Sequence, residues 1–234
     1  MDIARFDLPR YLSLLPLFQE MDQNELKRLS LGCRIRKFVR GEDIFRTGDP
    51  CDELHVTVMG QVKLYAISPS GHEKTIELVG PGSSFAEALM FTGRPYIVNA
   101  QALAETLLLS VSKSAITLEI QNDHRFAMRM LAGISRRLHG LVHDIQAYAL
   151  QNGVQRVIGY LLREVSELQP SHDNALQVEL PASKATIASR LSITPEYFSK
   201  VLHELEAAKL IEIDKRNISI PSRERLASFQ MQSF

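Results

Sequence analysis

Glu196, Ser199, Lys200 and His203 recur three, four and seven residues apart, the spacing that sets side chains on one face of a helix. Phe198, Val201, Leu202 and Leu205 fill the opposite stripe and predict its buried side. A carboxylate, a hydroxyl and a lysine on such a face could read base edges in a major groove. The carboxylate would accept from cytosine N4, the hydroxyl would meet a base or the thymine methyl, and the lysine would reach guanine O6/N7 or a phosphate. Any one of these residues alone would be an ordinary solvated helix position.

The surrounding residues supply the context. Thr194 is placed as N-cap and Pro195 as first helical residue, where a missing N–H costs nothing. A turn, Ser192-Ile193-Thr194, links this helix to a shorter one capped by Ser183, with Ile187, Ala188 and Leu191 facing inward. Two helices joined this way predict a helix-turn-helix. Leu210–Ile213 and Ile218–Ile220 then flank Asp214-Lys215-Arg216-Asn217, a hairpin wing whose two cations suit a phosphate backbone. The predicted DNA-contacting set is therefore Ser183, Thr194, Glu196, Ser199, Lys200, His203, Lys215 and Arg216.

Other residues that could carry chemistry are sparse. Cys33 and Cys51 are the only cysteines, which excludes a four-cysteine zinc or iron–sulfur site within one chain and argues against a disulfide framework. A metal-dependent jelly-roll enzyme would need His-x-His with a later His and Glu, whereas His55, His72 and His124 stand alone. No enzyme is expected. His139 and His143 lie one turn apart on a helical stretch, and Met90, Phe91, Met128 and Met130 could line an apolar pocket. Haem ligation, with His139 ahead of His143, is one candidate role, beside a plain surface or interface role for both.

These side chains need a scaffold. Leu12, Leu15 and Phe18 mark an opening helix, and Asp22 caps a second. From about Arg34 to Val111 the pattern becomes short apolar alternations: Val39, Leu54–Val58, Val62–Ile67, Thr75–Leu78 and Leu107–Val111. Gly41, Gly48, Gly60, Gly71, Gly80 and Gly82 fall between them, predicting an antiparallel barrel or jelly roll. A long helix follows, in which Ala127, Leu131, Ile134, Leu138, Leu141, Ile145 and Tyr148 alternate at four and three, the seam of a parallel homodimer. A helix lying on its own barrel is the alternative. After a break at Gln151-Asn152-Gly153 comes an amphipathic helix, Val154 to Leu168. The expected α+β organisation is an effector-sensing barrel with N-terminal helices over 1–122, a dimerisation helix over 123–150 and a winged helix-turn-helix over 151–234.

Composition sets the limits. Twenty-seven basic and twenty-seven acidic residues give a formal net charge of zero, so DNA binding has to rest on placement of side chains and not on bulk charge. No apolar run reaches the ~18–20 residues of a membrane span, and Met1 to Asp7 lack the basic-then-apolar order of a secretion signal. A cytoplasmic protein with no membrane partner is expected.

The order barrel, long helix, winged helix-turn-helix resembles the Crp/Fnr superfamily of bacterial transcription regulators. The residues that carry the resemblance are Gly41-Glu42 with Phe45 and Gly48-Asp49, Gly60-Gln-Val-Lys-Leu64, Ser84-Phe-Ala-Glu-Ala-Leu-Met-Phe91 and Ile193-Thr-Pro-Glu-Tyr-Phe-Ser-Lys200. It implies a homodimer that reads a palindromic promoter site, with RNA polymerase as partner. Members that bind cyclic AMP carry Gly-Glu and then Arg-Ser/Thr in their phosphate cassette. Ala86 stands at that glycine and Pro95 follows Arg94, which argues against cyclic AMP and leaves Glu87 and Arg94 as a residual site. The implied effector pocket is Phe85, Glu87, Met90, Arg94 and Tyr96.

The four-cysteine cluster of the Fnr branch is missing. Phe85–Phe91 with Tyr96 and Ala100-Gln-Ala102, then Arg137-Leu-His139, then Leu191–Ser199, look closest to the dissimilatory nitrate respiration regulators (Dnr), which are thought to sense nitric oxide through haem held between barrel and dimer helix. By this resemblance nitric oxide sensed through haem is the implied effector, while another small ligand, or none, remains open. Glu196-x-x-Ser199-Lys200 is similar to the Glu-x-x-Ser-Arg triplet of the Fnr and Dnr branches, which bind TTGAT-type half-sites. Lysine lacks arginine's bidentate fork, so its grip on guanine is expected to be weaker.

Overall fold

A computed structural model describes residues 6–165 and 176–229. The chain divides into two compact units, one of Met1–Ile67 and Ile76–Leu141, the other of Ser68–Thr75 and Val142–Phe234.

Helices α1 (Leu8–Leu14) and α2 (Gln23–Leu31) open the first unit. Asp22 starts α2 with a capping box: its carboxylate accepts from Asn24 and Glu25 N–H, and the Glu25 carboxylate accepts from Asp22 N–H. Leu12, Leu15 and Phe18 are buried as predicted, although α1 stops at Leu14 and Phe18 packs from beyond its end.

Strands β1 (Cys33–Phe38), β2 (Asp43–Phe45), β3 (Glu53–Met59), β4 (Val62–Ile67), β5 (Glu73–Val79) and β6 (Ser84–Phe85) follow. After them come α3 (Glu87–Thr92), β7 (Asn99–Ala102), β8 (Thr106–Ser112) and α4 (Lys113–Asn122). They build two four-stranded sheets in the orders β1-β8-β3-β6 and β2-β7-β4-β5, the jelly roll the alternations predict. Leu54 and Val56, Val62 and Leu64, Phe85, Ala100 and Leu108 meet in its core. Gly60 makes the β3–β4 turn at φ +90°, where a Cβ would fall 2.5 Å from the Glu105 carbonyl oxygen. Val39 departs from the predicted alternation. It is exposed beyond the end of β1, and its N–H donates to the Glu42 carboxylate at 2.9 Å.

Helix α5 (His124–Leu150) runs for 27 residues. Beyond it lie α6 (Gly153–Arg163), β9 (Leu176–Glu179), α7 (Lys184–Arg190), α8 (Pro195–Ala207), β10 (Glu212–Asp214), β11 (Asn217–Ile220) and α9 (Arg223–Ala227). The helix predicted from Val154 to Leu168 is capped at Glu164, and residues 166–168 lie outside the described residues. Strand β9 joins the wing as the third strand of a β10-β11-β9 sheet. Val157, Leu161, Val178, Ile187, Phe198, Leu202, Ile218 and Leu226 are buried in the second unit, where α6 packs against α8 and α9 and α7 against α8.

Candidate functional site

Each end of the helix pair is held by its own sequence. The Ser183 hydroxyl accepts from Thr186 N–H at 3.2 Å to start α7, and the Thr194 hydroxyl accepts from Tyr197 N–H at 3.2 Å to start α8. Ser192 turns the chain at φ +55°, and Ile193 N–H closes on the Ala188 carbonyl at 3.1 Å. With Ile187, Ala188 and Leu191 packed inward beside Phe198, Val201, Leu202 and Leu205, the other face of α8 is left outward. Glu196, Lys200 and His203 are exposed on it and Ser199 is half-buried. Lys200 lies 3.7 Å from Glu204 and His203 3.7 Å from Glu206. Such exposed pairs are weak and leave the side chains free to engage a partner.

The two wing cations differ. Asp214 and Asn217 pair across the β10–β11 hairpin, with Lys215 at its tip in the left-handed region at φ +56° and exposed. Arg216 is also exposed, but its Nε donates to the Leu180 carbonyl at 3.1 Å and its own carbonyl accepts from Leu180 N–H at 2.8 Å. It braces the wing as well as charging it. Ser183 and Thr194 likewise serve first as caps.

The α7–α8 turn is held from a direction the sequence did not disclose. Lys74, in the Ser68–Thr75 hairpin, donates through Nζ to the Ser189 and Arg190 carbonyls and reaches Ser192 Oγ at 2.7 Å. Arg156 donates to the Leu191 carbonyl at 2.8 Å, and the Tyr148 hydroxyl donates to the Arg190 carbonyl. Cations here satisfy the carbonyls that the last turn of α7 leaves open and meet the negative end of its dipole. Burial, with Arg156 adding repulsion, pulls Lys74 down to about 8.

Helix α5 divides its predicted seam. Leu131, Leu138 and Ile145 are 55%, 58% and 65% exposed, forming an uncovered apolar row that Met128 and Val142 extend. The interleaved residues are engaged within the chain: Ala127 and Ile134 are half-buried, Ile134 and the more exposed Leu141 line a cavity in the first unit, and Tyr148 bonds the Arg190 carbonyl. The row that faces outward is thus Met128, Leu131, Ser135, Leu138, Val142, Ile145 and Ala149, still at heptad spacing but turned by one position at every second place.

That cavity, about 170 Å³, has walls of Phe45, Leu64, Phe85, Tyr96, Ile97 and Val98, bordered by Ile134 and Leu141, and it opens to solvent beside the exposed Ile97 and Leu141. Its polar end is Arg137. The guanidinium donates to the Ser84 carbonyl at 2.9 Å, to Glu87 at 3.3 Å and to the Glu77 carboxylate. The same three charged residues border a second cavity of about 300 Å³, with Ser83, Ser84 and Arg136. Of the predicted pocket, Phe85, Glu87 and Tyr96 line the apolar cavity. Met90 is buried in the core instead, and Arg94, in the exposed stretch after α3, reaches neither cavity. Arg137, Phe45 and Leu64 were missed because only the fold brings them beside Phe85. Ala86 caps α3 in the left-handed region at φ +71°, a conformation that glycine adopts without strain.

Behind Tyr96 lies a buried polar chain. His55 is 1% exposed, with Nδ1 2.8 Å from Ser110 Oγ and Nε2 2.9 Å from the Tyr96 hydroxyl, while the Tyr96 ring stacks on Phe45 at 3.6 Å. Burial, reinforced by Arg36 and Arg34, holds His55 down to about 3 and so neutral.

Haem does not fit this cavity. A cavity near 150 Å³ accommodates benzene, whereas a porphyrin is several times that size, and no imidazole or thiolate lines the walls. Both nitrogens of His55 are engaged, and His139 and His143 are exposed on α5. Among the described residues no group of three or more His, Cys, Asp or Glu could hold a metal ion.

Residues 35–123 match the family profile of the Cyclic nucleotide-binding domain, and residues 155–229 that of the Crp-like helix-turn-helix domain. The chain is 24% identical over 211 residues to the CRP-like cAMP-activated global transcriptional regulator of Mycobacterium tuberculosis, across 90% of this chain and 94% of that protein. It is 34% identical to DNR from Pseudomonas aeruginosa, whose solved structure matches 94% of this chain and 96% of its own at a TM-score of 0.50. The structure of FixK2 from Bradyrhizobium japonicum matches at a TM-score of 0.76 over 86% of this chain and 99% of its own, at 19% identity, a likeness of fold.

Proposed function

This chain belongs to the Crp/Fnr family of transcription regulators, DNA-binding proteins and not enzymes, and on that premise we propose a homodimer whose two α8 helices read a palindromic, TTGAT-like promoter site under control of a small molecule in the barrel cavity. The observation that carries this reading is the division of α5. One side presents the uncovered row Leu131, Leu138 and Ile145; the other supplies Ile134, Arg137 and Leu141 to the cavity. An apolar row of this length at heptad spacing favours a second copy of the same helix. A ligand touching Ile134 and Leu141 would shift the balance between two packings of α5 only insofar as it binds one better.

The effector is a small molecule other than haem or cyclic AMP. The cavity is too small for a porphyrin and offers no axial ligand, which argues against nitric oxide sensed through haem. Cyclic AMP, which activates the mycobacterial relative, does not suit this cavity either: Ala86 replaces the cassette glycine, and the exposed Arg94 is followed by Pro95. On DNA, Glu196, Ser199 and Lys200 meet base edges, Lys215 meets phosphate, and RNA polymerase is the further partner.

Footprinting on the promoter of its own gene tests this. Protection of two half-sites with centres ~34 Å apart is expected. Glu196→Ala should lose ~1–3 kcal/mol of discrimination at one base position, while Lys215→Ala should weaken all sequences alike. Unchanged binding by both variants removes the assigned face.

A further inference from the structure

We infer that the barrel cavity takes a small primary amine bearing a benzene-sized apolar group, its ammonium seated beside Glu77 and Glu87; this rests on reading the cavity as the effector site. Size sets the body of the ligand. About 170 Å³ walled by Phe45, Leu64, Phe85 and Ile97 is slightly more than the space benzene fills. An aromatic ring there would stack among the aromatic walls.

Charge sets the head. The charged groups lining the cavity are Glu77, Glu87 and Arg137, two carboxylates to one guanidinium. Glu87 is buried, and a buried carboxylate calls for a full counter-charge. Elsewhere in the same unit that rule is met one to one: Glu119 receives both Nε and NH2 of Arg28 at 3.1 Å. Arg137 is instead divided between Glu77, Glu87 and the Ser84 carbonyl. The Ser84 hydroxyl also donates to Glu87 at 3.4 Å and Glu77 is partly open to water, which leaves the cavity end with two carboxylates to one guanidinium, a net negative charge that favours a cation. Arg136 opens on the neighbouring cavity and is exposed, where water screens it. An ammonium brings both the charge and three donors. A carboxylate would meet two others and find Arg137 already engaged.

The test compares ligands of one ring size on the full chain by calorimetric titration: 2-phenylethylamine, 2-phenylethanol and phenylacetate. The amine should bind at least about tenfold tighter than the alcohol, with phenylacetate weakest. Glu87→Gln should weaken the amine about tenfold and the alcohol by less than about threefold, and Glu77→Gln, nearer the surface, should show the same selectivity if the first variant does not fold. Leu64→Trp, which fills the cavity, should abolish amine binding. Phenylacetate binding as tightly as the amine, amine binding that survives Leu64→Trp, or failure of the amine to bind overturns the inference. Promoter binding measured in parallel keeps the two readings apart. An amine that binds without changing DNA affinity leaves the ligand class standing and removes the effector role. A Leu64→Trp protein with altered DNA affinity, in a chain that binds no amine, does the reverse.

Discussion

His55 shows how little of a residue's chemistry lies in its neighbours along the chain. Within Leu54-His-Val56 it is a solitary histidine, and nothing in sequence announces that Ser110 and Tyr96, 55 and 41 residues away, will take its two nitrogens. Its titration follows from that burial. Unfolded, the imidazole protonates near ~6.5; folded, it is held to about 3. The depressed value means that its contribution to stability is complete above the unfolded pKa and is lost as pH falls from there towards 3. Between pH 7 and pH 5 the loss should be about 2 kcal/mol, at about 1.4 kcal/mol per pH unit below 6.5. Urea unfolding at both pH values measures it. His55→Asn should remove this increment, and a variant as pH-sensitive as the parent would show that the acid lability arises elsewhere.

At the scale of elements, caps and stripes were readable and orientation was not. Thr194, Pro195 and the Phe198–Leu205 stripe locate α8, because capping and amphipathicity are local. Strand β9 passed unnoticed although Leu176, Val178 and Leu180 alternate. Helix α4 was missed too, since Ile116, Thr117 and Ile120 are β-branched residues that favour strands. For α5 the four-and-three repeat does not say which of two adjacent rows faces the chain's own barrel. Leu138→Asp should abolish self-association in sedimentation measurements with little effect on the melting of the barrel, whereas Ile134→Asp should lower the melting temperature first. Equal effects of the two would erase the distinction between the rows.

The junction of α6 with α8 offers a sharper test of element packing. A Cβ on Gly153 would lie 2.4 Å from Tyr197 Cε1. Gly153→Ala should therefore destabilise, yet in a Tyr197→Ala background it should stabilise by about 0.5–1 kcal/mol, the usual gain of alanine over glycine in a helix. Denaturant midpoints in both backgrounds decide it, and a change of the same sign in each would show that the tyrosine is not what requires glycine there.

Across the whole molecule, two-domain order and DNA-binding class could be read without an excess of positive charge, because helix pair and wing are both written locally. The candidate effector cavity was legible only in part: Phe85, Glu87 and Tyr96 could be named, but the rest of its lining comes from β2, β4, β5, the stretch before β7, and α5, which only the fold brings together. The division of α5 also ties two equilibria to one another. In the proposed dimer, residues on opposite sides of the same helix serve self-association and the cavity, so by reciprocity any ligand that strengthens the dimer must itself be bound more tightly by the dimer. Ligand titrations at two protein concentrations, one above and one below the association midpoint, should not superimpose; identical curves would mean that the two faces of the helix are energetically independent. A regulator built this way registers its own abundance together with its ligand, and the promoter responds to the product of the two.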